Sequence, residues 1–244
     1  MKTRNIKNIK MLLVQIRKDK AMLENEYSCF LASSGLSRSQ LFAHNLVNEA
    51  LDETILKNFD CMAIGGSGDF SVLDNVPNTE SVIRVVRGSF KNNFPVLGAC
   101  FGGQLLAQIF GGKVSRDKDK AELGTVKVYK TSQGKADPLL NLLPNPFFAQ
   151  AGHNDSVSLL PENAVLLAKG EACPVQAFLI KDTRIYGFQF HPELDKKNFL
   201  VRLNHHRAGY ARDTLKYDAV VKGIKETKES SKLAGVFINK IVLQ

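Results

Sequence analysis

The sequence predicts a doubly wound α/β fold, in which helices flank a mostly parallel central sheet that carries a small antiparallel extension. Short continuous apolar runs, such as residues 11–16 and 60–64, are typical of strands covered on both faces. Apolar residues at helical spacing occur between these runs, as in residues 80–90. Because strands and helices alternate, we expect parallel pairing, with functional groups at the carboxyl ends of the strands.

The amino-terminal half supplies the parallel strands in order. Residues 11–16 form the first strand, and residues 24–32 have helical spacing with Phe30 and Leu31 toward the core. Residues 41–47 are the next strand or its approach, and residues 60–64 precede a glycine-rich turn. The amphipathic helix over residues 80–90 then leads into the next buried strand.

The carboxyl-terminal half predicts the antiparallel part and a helical tail. Residues 124–130 alternate apolar and polar side chains, as expected of a half-exposed antiparallel strand. The other predicted elements are a short proline-bracketed helix over 137–144, a strand over 184–190, a helix over 196–210 continuing through charged residues 212–232, and an apolar end over 235–243. We expect that apolar end to dock back on the sheet.

Length and composition indicate one domain. The 244 residues are 44% hydrophobic and 23% charged, which suffices for a single sizeable core. We expect a flexible basic leader over residues 1–10 and a single domain over residues 11–244. The apolar run after the leader is too short for a signal peptide, and no other run is long enough to span a bilayer. We therefore expect a cytoplasmic protein without a membrane partner.

Charge and cysteine usage exclude several functional classes. The net charge of +9 lies mostly at the two ends of the chain, without aromatic interleaving or a recognisable nucleic-acid module, so no nucleic-acid partner is expected. The four cysteines are widely scattered, which predicts neither a disulfide framework nor zinc-ligand spacing. The sequence therefore predicts no metal and no cofactor.

The stretch Phe-Pro-Val-Leu-Gly-Ala-Cys-Phe-Gly-Gly-Gln, residues 94–104, places a cysteine where a buried strand turns into a helix. Gly98 and Gly102 flank Cys100 in the Gly-x-nucleophile-x-Gly pattern of a nucleophile elbow, a strained turn that requires small neighbours. The partial positive charge of the helix N-terminus favours a thiolate there. A buried structural cysteine beside a tight turn is the alternative, and it is preferred for an isolated cysteine.

A histidine and a carboxylate downstream decide between these interpretations. The strand over residues 184–190 ends at His191, and Glu193 follows two residues later. A cysteine, a histidine that accepts its proton and a carboxylate that orients the histidine form the arrangement used in acyl transfer. His153 competes for the role of base, but it neither ends so strong a strand nor precedes such a carboxylate. We therefore predict Cys100, His191 and Glu193 as the catalytic residues.

Three motifs in this order resemble the class I glutamine amidotransferase family. They are the cysteine motif of residues 98–104, the Gln-Phe-His-Pro-Glu motif of residues 189–193 and the glycine turn at residues 64–72. The resemblance covers approximately residues 11–199. It implies a flavodoxin-like fold and a Cys-His-Glu triad that hydrolyses the side-chain amide of glutamine.

The same resemblance implies the remaining site residues. The backbone amides of Gly66 and Phe101 would form the oxyanion hole, with Gly65 beside the substrate. Here Ser67 replaces the proline that usually follows the two glycines, which points to a looser loop.

Two further segments would contact the glutamyl group. Gln104 matches a family position that holds this group. The segment over residues 147–161 resembles the amidotransferases most like the glutaminase part of GMP synthase, and it would place Asp155 at the substrate's ammonium. His153 lines the pocket or only ties the loop, and the sequence favours neither.

Three functions remain open. The first is a glutaminase that releases ammonia from glutamine through a cysteinyl thioester, either alone or for a separate ammonia-accepting synthetase subunit. The second is a stand-alone γ-glutamyl peptidase, hydrolase or transferase that uses the same residues on another γ-glutamyl compound. The third is a non-catalytic binding protein, which the complete set of Cys100, His191 and Glu193 argues against.

Overall fold

A computed structural model describes residues 5–207 and 214–244; for residues 214–216 only the backbone is described. The strands are β1 Met11–Gln15, β2 Leu41–Asn45, β3 Cys61–Ile64, β4 Val96–Ala99, β5 Lys113–Arg116, β6 Glu122–Lys130, β7 Phe147–His153, β8 Asp155–Leu159, β9 Ala164–Gly170, β10 Ala177–Ile180 and β11 Ile185–Phe188. The α-helices are α1 Lys20–Ser34, α2 Thr79–Lys91, α3 Phe101–Ile109, α4 Ser132–Ala136, α5 Lys196–His205, α6 Thr214–Gly223 and α7 Leu233–Phe237.

The strands of the described residues form a nine-stranded sheet and a two-stranded one. The large sheet has the order β2-β1-β3-β4-β11-β10-β9-β6-β7. Its first five strands are parallel, and from β11 to β7 every neighbouring pair is antiparallel. Strands β5 and β8 pair separately as an antiparallel ribbon. The predicted fold class, a mostly parallel sheet with a small antiparallel extension, is confirmed.

The sheet is covered on both faces, as its continuous apolar strands require. Alternate residues of β1 belong to different clusters: Leu13 packs in the cluster that includes Phe30, and Leu12 packs in the one that includes Val85. Phe237 and Val242 join the first cluster, so the apolar carboxyl-terminal end does dock on the sheet. Each layer therefore receives side chains from sequence-distant helices, which fixes the strands that carry the site.

Residues 5–10 are tied to the domain, although we expected them to lie in a flexible leader. Ile9 is buried, and the Gln40 side-chain amide donates to the carbonyls of both Ile6 and Ile9. Residues 1–4 lie outside the described part, as does the end of the predicted helix over 196–210, and the structure has α5 ending at His205.

The predicted helix over residues 137–144 is wrong, since these residues form consecutive turns. The short helix α4 precedes them instead. The Asp137 carboxylate accepts the amides of Leu139 and Leu140, and Tyr186 donates its hydroxyl to the same carboxylate. A side chain that takes these backbone donors competes with helix propagation, and the two prolines prevent its extension.

Candidate active site

Cys100 stands at the tight turn between β4 and α3, as expected of a nucleophile elbow. Its backbone has φ 50° and ψ −105°, a left-handed conformation that side-chain-bearing residues rarely adopt. The turn is closely packed, because a Cβ at Gly102 would lie 2.2 Å from the carbonyl oxygen of Ile64, and one at Gly98 would lie 2.6 Å from Gly102. Only glycine fits at both neighbours, and the turn presents the Cys100 thiol to a cavity.

His191 and Glu193 meet this thiol from the loop that follows β11. The His191 imidazole Nδ1 lies 2.9 Å from Glu193 Oε1, and the ring forms a hydrogen bond with the Cys100 thiol. Because Nδ1 is held by the carboxylate, Nε2 is the ring nitrogen left for the thiol. The structure therefore brings the three predicted catalytic residues together in the order thiol, imidazole, carboxylate.

Burial and charge act in opposite directions on the two titratable partners of Cys100. Burial lowers the pKa of His191, but the Glu193 charge and the contact with Cys100 outweigh it and raise that pKa from 6.5 to about 9. Burial raises the pKa of Glu193, but the charges of His191 and Arg202 lower it from 4.5 to about 2. An ionised Glu193 beside a readily protonated His191 suits an imidazole that must take up the thiol proton.

Arg202 on α5 is a member of this group that the sequence did not reveal. Its guanidinium Nη1 donates to Glu193 Oε1 at 3.0 Å, and its Nε donates to the side chain of Asn25 at 2.9 Å. The residue is buried despite its charge. Its position between the buried residues Phe199 and Leu203, on one face of the helix, is the signal that could have identified it.

The glycine turn after β3 differs from expectation. The Gly66 amide donates to Glu26 Oε1 at 3.1 Å, so it is already paired rather than free to bind an oxyanion. Gly65 is not among the cavity-lining residues: its carbonyl accepts the Gly102 amide, and a Cβ there would lie 2.6 Å from the Glu26 carboxylate. The Phe101 amide, in contrast, is the first of α3 and has no acceptor within that helix.

Glu26 explains why the turn is held in this way. Its carboxylate is fully buried and also accepts from the Arg17 guanidinium at 2.8 Å and from the Gln15 amide at 3.2 Å. Arg17 is buried as well and lines the cavity. A buried ion pair therefore anchors the turn from below.

Cys100, His191 and Phe101 open onto a cavity of about 260 Å³. Opposite them, the Asp155 carboxylate accepts two bonds from the Arg116 guanidinium, at 2.8 Å and 3.3 Å, and one from the Ser71 hydroxyl. Burial raises the pKa of Asp155, but these bonds outweigh it and hold that pKa below its usual value. The far wall of the cavity thus carries an anion and a cation side by side.

The other two predicted substrate contacts, Gln104 and His153, are already hydrogen-bonded. The Gln104 amide nitrogen donates to the Asp155 carbonyl at 2.6 Å and to Gln189 at 3.2 Å. His153 has both ring nitrogens engaged, Nδ1 with the Asp155 carbonyl at 3.0 Å and Nε2 with Glu122 at 2.9 Å. Of the two roles that the sequence left open for His153, the geometry therefore favours tying the loop.

His206 contributes to the cavity, although the sequence suggested an exposed side chain. It is half-buried, lines the cavity, and would lie 2.4 Å from a Cβ at Gly68. Burial and the neighbouring charges of His205 and Arg17 lower its pKa. Within the described residues, no helix combines the length and apolar character needed to cross a membrane.

Comparisons with known proteins agree with this geometry. The family model for glutamine amidotransferase class-I matches residues 32–228. The glutamine-hydrolyzing subunit of GMP synthase from Pyrococcus abyssi is 37% identical over 136 residues, which cover 55% of this chain and 70% of that protein. The corresponding protein from Sulfurisphaera tokodaii is 37% identical over 140 residues, covering 57% and 70%.

Solved structures resemble the fold over nearly the whole chain. A glutamine amidotransferase from Thermotoga maritima superposes with a TM-score of 0.75 at 18% identity, covering 97% of this chain and 99% of that one. A glutamine amidotransferase from Methylobacillus flagellatus gives 0.72 at 20% identity, covering 95% and 94%. These likenesses concern the fold, whereas the family model matches most of the sequence. The chain belongs to the class-I glutamine amidotransferase family.

Proposed function

We propose that this protein hydrolyses glutamine to glutamate and ammonia, with Cys100 as nucleophile, His191 as general base and acid, and Glu193 as the residue that orients His191. The observation that carries the proposal is the hydrogen-bonded line from the Cys100 thiol through His191 to Glu193, which opens onto a cavity in a chain of this family. A nucleophile, a base and an orienting carboxylate are the groups that acyl transfer requires.

The chemistry proceeds in two acyl-transfer steps. His191 takes the proton of the Cys100 thiol, and the thiolate attacks the γ-carbonyl carbon of glutamine, giving a tetrahedral intermediate. His191 then protonates the departing nitrogen, the C–N bond breaks, and ammonia leaves a γ-glutamyl thioester on Cys100. Water, deprotonated by His191, adds to the thioester and the C–S bond breaks, which releases glutamate and restores the thiol.

The oxyanion of each intermediate needs backbone donors. On this proposal the Phe101 amide is available at once, since it starts α3. The Gly66 amide is bonded to Glu26 and joins the hole only when the turn releases that carboxylate. Substrate binding would then have to reshape the glycine turn before the full set of donors is in place.

The far wall of the cavity suits the zwitterionic end of glutamine. The Asp155 carboxylate would accept the α-ammonium, and the adjoining Arg116 guanidinium would bind the α-carboxylate. Gln104 supports this wall by donating to the Asp155 carbonyl. A cavity of about 260 Å³ is smaller than pockets for drug-sized ligands and favours a single amino acid.

The ammonia acceptor is proposed to be a separate synthetase subunit. The curated relatives are named as subunits of GMP synthase, and nucleotide amination is a reaction that consumes ammonia. We place the protein in the cytoplasm, where a reducing environment keeps Cys100 free.

Glutamate release tests the proposal. The purified full chain is incubated with glutamine and, separately, with γ-glutamyl peptides, and wild type is compared with Cys100→Ala and Cys29→Ala. Glutamate from glutamine that Cys100→Ala abolishes and Cys29→Ala preserves is the expected result. Release from the peptides alone would replace glutaminase by peptidase. Failure of the Cys100 thiol to react with an electrophilic glutamine analogue, together with no glutamate, would refute the catalytic assignment.

A further inference from the structure

A second group of chemically reactive side chains lies behind the cavity wall. Glu122 begins β6, His153 ends β7 directly opposite it in the strand register, and Cys173 lies in the turn after β9. One ligand atom of each residue lies within 4.8 Å of the others, and all three side chains are buried. Carboxylate, imidazole and thiol thus converge from three separate segments.

The hydrogen bonding of His153 leaves an acceptor facing this group. Nδ1 lies 3.0 Å from the Asp155 carbonyl oxygen, which accepts only, so Nδ1 carries a proton. In the neutral ring, Nε2 then presents a lone pair 2.9 Å from a Glu122 carboxylate oxygen. Two acceptors at this distance require a cation between them, either a proton or a metal. Histidines that bind metals commonly donate their other N–H to a carbonyl in this way.

Gln176 provides an independent observation at the same place. Its side chain is fully buried, and its amide nitrogen donates to Glu122 Oε2 at 2.6 Å. The oxygen of that amide, Oε1, has no hydrogen-bond partner among the described residues. A buried unpaired oxygen costs about 1–3 kcal/mol, and a cation beside Glu122 would remove this cost.

We propose that Glu122, His153 and Cys173 bind one zinc ion, with the Gln176 amide oxygen as fourth donor. Thiolate and imidazole ligands favour zinc over the hard cations magnesium and calcium, and four donors match its tetrahedral preference. Zinc bonds of about 2.0–2.3 Å bring ligand atoms closer than 4.8 Å, so the side chains close around the ion. Burial raises the pKa of the Cys173 thiol to about 12, and binding displaces its proton.

The site would be structural and would hold the substrate wall. It joins β6, β7 and the turn after β9, and His153 in turn holds the Asp155 carbonyl. This sequence of contacts fixes the loop that carries the Asp155 carboxylate without placing the metal in the cavity. The inference does not depend on glutamine being the substrate.

Metal content of the full chain tests the site. The purified protein is equilibrated with zinc, desalted and analysed by elemental mass spectrometry, and about one zinc ion per chain is expected. Cobalt substitution should give the thiolate-to-cobalt charge-transfer absorption in the near ultraviolet. Cys173→Ala should abolish that absorption, whereas Cys29→Ala, whose thiol pKa burial also raises to about 12, should retain it.

The wild-type measurements decide the matter even if a variant fails to fold. A wild-type chain that keeps no zinc after desalting and shows no thiolate-to-cobalt band would overturn the proposal. A band that persists in folded Cys173→Ala would also overturn it, since the thiolate would then come from elsewhere.

Discussion

Replacing Glu193 by glutamine should destabilise the protein most between pH 4.5 and pH 6.5. Burial raises the Glu193 pKa, but His191 and Arg202 lower it from 4.5 to about 2, so its stabilising contribution is complete above pH 4.5 and is lost as the pH falls to about 2. The His191 pKa is raised from 6.5 to about 9, so its contribution is complete below pH 6.5 and is lost as the pH rises through about 9. Both contributions are present only in the window between.

The size of the effect follows from the same pKa values. The difference between 4.5 and about 2 corresponds to about 3 kcal/mol, at about 1.4 kcal/mol for each tenfold change in proton affinity. The His191 shift arises mainly from the same attraction, so the two are not added. At about 2–4 °C per kcal/mol for a domain of this size, the Tm deficit of Glu193→Gln should be about 6–12 °C larger inside the window than at the pH extremes.

Scanning calorimetry of both proteins across the pH range measures this difference directly. Glu53→Gln is the matched control, because Glu53 pairs with Arg84 at 2.7 Å but more than half of each side chain is exposed. Its Tm should follow that of the wild type within the effect of about 1 kcal/mol. A Glu193→Gln deficit that stays constant with pH would refute the reasoning, because it would mean that Glu193 and His191 do not share a proton-linked interaction.

Three further perturbations probe the elbow, the buried arginine and the substrate wall. Gly102→Ala places a Cβ 2.2 Å from a backbone carbonyl and should cost more than about 3 kcal/mol in urea unfolding, whereas Gly88→Ala, in open space within α2, should stabilise by about 0.5–1 kcal/mol. Arg202→Met should cost about 3–5 kcal/mol, because it strands a buried carboxylate, while Arg84→Met should cost less than about 1 kcal/mol. If glutamine binds as proposed, Arg116→Met should raise KM at least about tenfold with a smaller change in kcat, and an unchanged KM in steady-state kinetics would exclude the α-carboxylate contact.

The fold was predictable because local patterns determine its parallel half. Continuous apolar runs located β1, β3 and β4, and the Gly-x-Cys-x-Gly pattern located the elbow where φ is positive. Such signals lie within a few residues of each other, so sequence alone resolves them. The residues of the elbow and of the segment after β11 also carried the family, which the family model confirms.

Partners of buried charges were not predictable, since they come from distant segments. Glu26 lies in a helix where charged residues are common, and only the fold places it below Gly66. Arg202 reaches Glu193 from the following helix, and Asp137 turns the chain by capping amides that helical spacing assigned to a helix. Periodicity reports which face of an element is buried, but it does not report what a buried polar group meets there.

Two buried arginine–glutamate pairs lie beside Cys100, and both hold proposed catalytic parts. In one, Glu193 holds His191, and in the other Glu26 holds the Gly66 amide. Buried pairs cost nearly as much in desolvation as they return in attraction, so stability alone gives little reason to place two of them here. Their value on the proposed mechanism is positional: one pair fixes the base for the thiol. The other keeps an oxyanion donor occupied until the glycine turn rearranges around substrate.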